Sequence, residues 1–206
     1  MLRDLLQELP LIAILRGIRP AEMPAAADAL TGAGFRILEV PLNSPQPLES
    51  IRYLAGREGL LSGAGTVLSA DEVEAVAAAG GRLIVAPNAD TEVIAATKRR
   101  GLTALPGVAT PSEAFAALKA GADGLKMFPA ELLPPAALKA WRAVLPAGTL
   151  LLPVGGITPT TMVDYLAAGA DGFGLGSALY KPGMAAAELG ERARAFVAAY
   201  RTLRPR

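Results

Sequence analysis

Two charged side chains stand inside stretches of the sequence that otherwise have the composition of buried strands. Lys126 lies in "GLKMFP" and Glu39 lies in "FRILEVPL", and the other residues of both stretches are mostly small or apolar. Arg16 and Thr66 fall near the ends of two similar stretches, "LIAILRG" and "LLSGAGTV". Burying an unpaired charge is costly, so four polar residues near the same end of four strands predict one shared site.

The chemistry of these four residue types is complementary. Burial lowers the pKa of a lysine, and the neutral amine of Lys126 could then attack a carbonyl group. Burial raises the pKa of a glutamate, so that Glu39 could both take and give a proton. The guanidinium of Arg16 matches a carboxylate, and the Thr66 hydroxyl can donate to the same group. The set predicts a Schiff-base enzyme that acts on an α-keto acid.

Each residue also has a structural interpretation that stays open. A lysine or a glutamate in a strand can form a structural ion pair, and a threonine is a common strand residue.

Two other functions are also compatible with the pattern. In the first, Lys126 is a proton donor in another phosphate-binding barrel enzyme, such as an epimerase or a decarboxylase. In the second, the protein binds a sugar phosphate without catalysing a reaction.

Glycine-rich segments near the end of the chain predict a phosphate site. "VGGIT" and "GLGS" each follow an apolar stretch, and their backbone N–H groups could hold a phosphoryl group. The predicted contacts are Gly155, Gly156, Gly176 and Ser177. The alternative is that these glycines only form tight turns. A phosphate site would imply a small phosphorylated substrate.

The elements that must position these residues form a regular series. Eight apolar stretches begin about 20–26 residues apart, a spacing that fits one strand, one helix and two short loops. The series predicts a short (β/α)8 TIM barrel over residues 1–206, a single domain, with "LRDLLQEL" as an extra N-terminal helix. An open doubly wound sheet is the second choice, because no GxGxxG motif follows an early strand. Ser44-Pro45 and Thr110-Pro111 are predicted helix starts.

The composition excludes several classes of protein. The chain has no cysteine and no histidine, which removes disulfides, thiolate metal sites and the commonest metal ligand at neutral pH. A net charge of +1 gives no general attraction to nucleic acid or to a membrane surface. No apolar run approaches the length of a bilayer span, and the charged N-terminal stretch does not resemble a signal peptide. A cytoplasmic enzyme is therefore expected.

Several motifs resemble the 2-keto-3-deoxy-phosphosugar-acid aldolases, the KDPG/KHG aldolase family. They are "LPLIAILRGI", "EVPLNSPQ", "GAGTVL", "LIVAPN", "LPGVATPSEAF", "LKMFPA", "VGGITP" and "GLGSALY", and the similarity covers nearly the whole chain. These enzymes are metal-independent class I aldolases on a short (β/α)8 barrel. The resemblance implies a cytoplasmic homotrimer that needs no cofactor and acts on a phosphorylated keto acid.

The resemblance also implies residue roles. Lys126 matches the Schiff-base lysine of the family's "KxFP" motif, and Glu39 matches its catalytic glutamate. Asn43 in "EVPLNS" stands where the gluconate-type enzymes have a carboxylate-binding arginine, whereas Arg16 in "ILRG" fits the galactonate branch. Pro87 and Phe128 are expected to wall the pocket, and Asn43 to contact substrate hydroxyls.

The reaction that the resemblance implies is cleavage of 2-dehydro-3-deoxy-6-phospho-D-galactonate to pyruvate and D-glyceraldehyde 3-phosphate. The alternative is the epimeric 2-dehydro-3-deoxy-6-phospho-D-gluconate, or activity on both compounds.

Overall fold

The computed structural model describes residues 1–203, so the last three residues of the predicted 1–206 domain lie outside the described part. Within residues 1–203 the chain forms nine short strands, and a helix separates each strand from the next except between the fifth and the sixth. They are β1 (Leu11–Ile14), β2 (Ile37–Pro41), β3 (Leu61–Gly65), β4 (Leu83–Val85), β5 (Thr103–Leu105), β6 (Gly107–Val108), β7 (Leu125–Met127), β8 (Leu151–Pro153) and β9 (Phe173–Leu175).

In the described part of the chain, nine α-helices connect or flank these strands. They are α1 (Leu2–Glu8), α2 (Met23–Ala33), α3 (Pro47–Ala55), α4 (Ala70–Ala78), α5 (Thr91–Arg99), α6 (Pro111–Lys119), α7 (Pro135–Arg142), α8 (Met162–Ala167) and α9 (Ala186–Leu203). Two 3-10 helices, Pro20–Glu22 and Ala130–Leu132, lie between them. Within residues 1–203, no helix has both the length and the apolar character that crossing a bilayer requires.

All strand pairs are parallel, which confirms the predicted α/β class. One sheet has the order β5-β4-β3-β2-β1-β9, and the other has the order β6-β7-β8. A parallel bridge between Val154 and Gly174 connects β8 to β9. Each of the eight predicted apolar stretches contains a strand. The fifth stretch, "LTALPGV" at residues 102–108, contains two strands, β5 and β6. They are separated by Pro106, whose nitrogen cannot donate a ladder hydrogen bond.

The strands are buried on both faces, as expected for parallel sheets covered by helices. One face packs against the helices in a large apolar cluster that extends along the chain from Leu9 to Val197. The other face forms a smaller aliphatic cluster with contributions from six strands and their flanks. Leu2 and Leu6 of α1 belong to this second cluster, so α1 covers one end of it.

The pentapeptide "AGADG" occurs twice, and both copies have the same structural role. The Asp123 carboxylate accepts a hydrogen bond from the backbone N–H of Ala104 at 2.8 Å, and the Asp171 carboxylate accepts one from Leu151 at 2.7 Å. Each aspartate also forms an ion pair with a neighbouring helix: Lys98 for Asp123 and Arg142 for Asp171. The repeated aspartate therefore fixes the start of a neighbouring strand and takes no part in the candidate site.

Candidate active site

The alternation of side chains along a strand places Lys126 on the inner face of the sheet. Its neighbours Leu125 and Met127 both belong to the cluster that packs against the helices. Since successive residues of a strand point to opposite faces, Lys126 points away from those helices. Glu39 follows Ile37 by two residues on β2, and Ile37 lies in the inner cluster. The two charged side chains therefore share the inner face.

A small internal cavity of about 10 Å³ brings the amine and the carboxylate together. Lys126 and Glu39 both line it, and the rest of its lining is apolar apart from one glycine. Lys126 is 6% exposed and Glu39 is 2% exposed. Within residues 1–203, Glu39 Oε2 has no hydrogen-bond partner. A buried acceptor without a donor is rare, and it leaves an oxygen able to receive a proton.

Burial dominates the protonation of both groups. Desolvation raises the pKa of Glu39 to about 7, although the positive charges of Lys126 and Arg16 act in the opposite direction. Desolvation also lowers the pKa of Lys126; Glu39 opposes this shift, and Arg16 adds to it. These two shifts disfavour an ion pair between an ammonium and a carboxylate. They favour a neutral amine beside a carboxyl group that can exchange a proton near neutral pH.

The aromatic ring of Phe128 lies beside the amine. Lys126 Nζ is 4.4 Å from the centre of that ring, a distance at which a cation–π interaction would favour the ammonium form. Desolvation and Arg16 lower the pKa of Lys126, and they outweigh the opposing effect of the Glu39 charge. Phe128 also lines the larger cavity described below, as predicted for a pocket wall.

A polar cluster of Arg16, Asn43 and Thr66 occupies the ends of β1, β2 and β3. Arg16 Nη1 donates a hydrogen bond to Asn43 Oδ1 at 2.7 Å. Both terminal nitrogens of Arg16 lie 3.5 Å from Thr66 Oγ1. Thr66 has a φ of 57°, in the left-handed region that a β-branched residue rarely adopts. The hydrogen bond from Arg16 to Asn43 limits the rotation of the guanidinium group within this cluster.

A larger cavity of about 600 Å³ opens at the same end of the strands and includes Lys126 and Arg16. The predicted phosphate residues Gly155, Gly156, Gly176 and Ser177 all line it. They follow β8 and β9. The amine and the glycine-rich loops therefore face one another across a single cavity.

Sequence reasoning missed several residues that line this cavity. They are Glu131, Thr158, Tyr180, Lys181 and Arg192. Lys181 is exposed, and Arg192 forms an ion pair with Glu188 at 2.8 Å. The position of Lys181, in the loop after β9 and four residues beyond Ser177, was the one signal in the sequence that could have identified a cation at this site.

Pro87 is placed differently from the other predicted pocket residues. It lines neither the small nor the large cavity, and its carbonyl oxygen packs against Gly107. Asn43 and Thr66 also lie outside both linings, but they contact Arg16, which does line the large cavity. All the predicted site residues except Pro87 therefore line one of the two cavities or contact Arg16, whereas Pro87 follows β4 at the same end of the strands without lining either cavity.

The fold and the site together define a class of enzyme. A buried lysine of lowered pKa, a neighbouring glutamate and a cationic, glycine-rich cavity at the strand ends suit an aldolase that forms a Schiff base with a carbonyl substrate. Comparison with known sequences agrees with this class. The sequence profile of the family described as KDPG and KHG aldolase matches residues 2–193.

Individual relatives and structures give the same result. The chain is 49% identical to a probable 2-dehydro-3-deoxy-6-phosphogalactonate aldolase of Rhizobium meliloti, over 94% of this chain and 92% of that protein. A solved structure described as "Native KDPGal structure" has a TM-score of 0.93 and 47% identity, covering 95% of this chain and 96% of that chain. A KDPG aldolase of Legionella pneumophila, solved with pyruvate as a covalent carbinolamine intermediate, has a TM-score of 0.84 and 27% identity, covering 95% and 98%.

The chain therefore belongs to the KDPG and KHG aldolase family, and it is an aldolase, a carbon–carbon lyase.

Proposed function

We propose that the protein cleaves 2-dehydro-3-deoxy-6-phospho-D-galactonate to pyruvate and D-glyceraldehyde 3-phosphate. The observation that carries the proposal is the pairing of Lys126 with Glu39, both buried on the lining of one internal cavity. The choice of the galactonate series is supported by the 47% identity to the KDPGal structure, against 27% to the Legionella KDPG aldolase in the same kind of comparison.

Lys126 is the nucleophile in this proposal. Its lowered pKa favours the neutral amine, which attacks the C2 ketone of the substrate to give a carbinolamine. Loss of water then gives an iminium ion, with a new C–N double bond. The positive nitrogen acts as an electron sink, so that the C3–C4 bond can break with its electron pair moving toward C2.

Glu39 moves the protons. As a carboxylate it removes the proton of the C4 hydroxyl while the C3–C4 bond breaks, which releases D-glyceraldehyde 3-phosphate as an aldehyde and leaves an enamine on Lys126. Glu39, now protonated, returns the proton to C3, and water hydrolyses the resulting iminium to pyruvate and the free amine. A pKa of about 7 suits both halves of this cycle.

Arg16 and Thr66 are proposed to hold the substrate carboxylate. Arg16 lines the large cavity beside Lys126, and its guanidinium can bind a carboxylate through two parallel hydrogen bonds. Asn43 accepts from one terminal nitrogen of Arg16 and thereby limits the rotation of the guanidinium. The carboxylate and the C2 carbonyl of an α-keto acid are adjacent, which fits the proximity of Arg16 to the amine.

The phosphoryl group is proposed to lie on the loops after β8 and β9. Gly155, Gly156, Gly176 and Ser177 supply backbone N–H groups and one hydroxyl. Lys181 and Arg192 line the same cavity and supply positive charge. Their presence extends the predicted phosphate site beyond the glycine-rich motifs.

Borohydride reduction in the presence of pyruvate tests the proposal. The wild-type protein should gain one pyruvate-derived adduct, located by mass spectrometry on Lys126. Lys126→Ala should lose both the adduct and cleavage. Lys181→Ala is the matched control, because Lys181 is a second lysine on the same cavity, and this variant should still be trapped. An adduct on any other residue would refute the assignment of Lys126.

A separate experiment determines which C4 epimer of the substrate the enzyme prefers. The value of kcat/KM for the galactonate-series substrate should exceed that for the gluconate-series substrate when both are measured in one preparation. Equal values would mean a dual-specificity enzyme, and the reverse order would assign the gluconate reaction.

Three further features belong to the proposal. We propose that the two sheets form one closed (β/α)8 barrel, which is supported by the bridge between Val154 and Gly174 and by the direct succession of β5 and β6 around Pro106. The apolar cluster that extends from Leu9 to Val197 supports a single domain. A cytoplasmic homotrimer is proposed on the family resemblance, and sedimentation equilibrium would test the trimer.

A further inference from the structure

Glu131 occupies an unexpected place in the large cavity. It follows β7 in the 3-10 helix Ala130–Leu132, and its carboxylate lies directly over the Gly155–Gly156 pair. A Cβ atom built on Gly155 would be 3.0 Å from Glu131 Cδ, and one built on Gly156 would be 2.8 Å from Glu131 Cγ. An anionic side chain therefore lies against the α-carbons of the loop that is proposed to hold the phosphoryl group.

The backbone that carries Glu131 is fixed, whereas its side chain can move. The Tyr165 hydroxyl donates to the carbonyl oxygens of Ala130 at 2.8 Å and of Leu133 at 3.1 Å, on either side of Glu131. Glu131 itself is exposed. Within residues 1–203 its carboxylate has neither a hydrogen bond nor an ion pair that would hold it on the loop.

A second position is open to the side chain of Glu131. Glu131 lines the 600 Å³ cavity on one side and an adjoining hollow of about 280 Å³ on the other, and Gly155 and Gly156 line both. A rotation about the side-chain bonds of Glu131 would move its carboxylate from the cavity toward that hollow. A phosphoryl group on this loop and the Glu131 carboxylate line the same cavity and would repel each other, since both are negatively charged.

We propose that Glu131 is a displaceable anion that competes with the phosphoryl group for the Gly155–Gly156 loop, so that it weakens phosphate binding and favours release of the phosphorylated product. This inference rests on the proposed function, because it assumes that the loop receives the phosphate of the substrate. It assigns Glu131 a role in setting affinity at the phosphate end and none in breaking the carbon–carbon bond.

Binding of inorganic phosphate to the resting protein tests this role without turnover. Titration calorimetry would compare the wild type with Glu131→Gln and Glu131→Ala. The glutamine variant keeps the shape of the side chain and removes its charge, and it should bind phosphate about fivefold more tightly. The alanine variant removes both charge and bulk and should bind at least as tightly as the glutamine variant. The gain in phosphate affinity should be smaller in about 0.5 M salt, because dissolved ions screen the interaction between exposed charges.

Asp164→Asn is the matched control. Asp164 lines the adjoining hollow but not the catalytic cavity, so its loss removes a nearby negative charge without freeing the glycine pair. Its phosphate affinity should stay within about twofold of the wild-type value.

Three results would overturn the inference: unchanged affinity in both Glu131 variants, weaker binding in either of them, or no phosphate binding in any protein. Trapping of pyruvate on Lys126 is measured in the same preparations. Normal trapping without the affinity gain would reject the role of Glu131 and leave the aldolase proposal standing, whereas loss of trapping in the wild type would reject the aldolase proposal itself.

Discussion

The carboxylate of Glu39 lies against the α-carbon of Gly65 on the neighbouring strand. A Cβ atom built on Gly65 would be 2.5 Å from Glu39 Cδ and 2.6 Å from Oε1, distances at which one of the two groups must move. Both residues are buried, so little free space surrounds them. The glycine of the "GAGTV" motif is therefore required by the position of the Glu39 carboxylate, which is proposed to be catalytic, and the geometry links two motifs that lie on different strands.

Gly65→Ala should displace Glu39 and slow the chemistry. An error of about 1 Å in a catalytic group reduces the rate roughly 100-fold, and we expect a loss of that order in kcat for cleavage. Borohydride trapping of pyruvate on Lys126 should persist, because the amine is not displaced. Gly32→Ala is the control, since a methyl group at Gly32 would meet no atom within 4 Å. Full activity in Gly65→Ala would show that Glu39 tolerates displacement.

The raised pKa of Glu39 predicts the pH dependence of proton transfer. Exchange of the methyl protons of pyruvate with solvent, measured by NMR at saturating pyruvate, should increase as the pH rises through about 7, because Glu39 must be ionised to remove a proton.

The matched variant for this measurement is Glu39→Gln. It should still form the adduct but should exchange protons on the order of 100-fold more slowly, with no inflection near pH 7. An exchange rate that stays constant between pH 5.5 and 8 in the wild type would exclude Glu39 as the base.

The sequence predicts most of this site because a charge in an apolar strand is a conspicuous exception. Lys126 and Glu39 are identified by that contrast alone, and the alternation of strand residues then places both on the inner face. The fold class follows from the spacing of the apolar stretches. The Thr110-Pro111 helix start is also confirmed, since the Thr110 hydroxyl accepts from the backbone of Glu113 as the N-cap of α6.

Other features depend on contacts that no local pattern reports. The predicted helix start at Ser44-Pro45 was wrong: α3 begins at Pro47, and the Ser44 hydroxyl accepts instead from the backbone N–H of Gly17 in another loop, at 2.9 Å. Glu131 was missed because a single glutamate in the short segment between β7 and α7 is unremarkable until folding places it against Gly155. In both cases the partner is distant in the sequence, so that short-range reasoning could not find it.

The same pKa predicts an effect of Glu39 on stability. The pKa of the carboxyl group is raised from 4.5 to about 7 on folding, so between these values the folded protein binds more protons than the unfolded chain. The free energy of unfolding therefore falls as the pH rises from 4.5 to 7, by about 3 kcal/mol at most, and stays lowered above pH 7.

Glu39→Gln removes this titration, and thermal denaturation should reveal the difference. The melting temperature of the variant relative to the wild type should rise by several degrees between pH 5 and pH 8. A difference that is independent of pH across this range would mean that Glu39 does not titrate near neutrality in the folded protein.

The hydrogen bond between Arg16 and Asn43 predicts a role for Asn43 that differs from direct contact with substrate hydroxyls. Asn43→Ala should free the guanidinium and raise KM for pyruvate in the exchange reaction roughly tenfold, the loss expected for one hydrogen bond to a charged group, with kcat little changed. The decisive comparison is a double-mutant cycle. If Asn43 acts through Arg16, then Arg16→Ala combined with Asn43→Ala should be no worse than Arg16→Ala alone. If Asn43 instead contacts the hydroxyls of the sugar acid, Asn43→Ala should impair cleavage of the six-carbon substrate and leave pyruvate exchange unchanged, because pyruvate has no such hydroxyls.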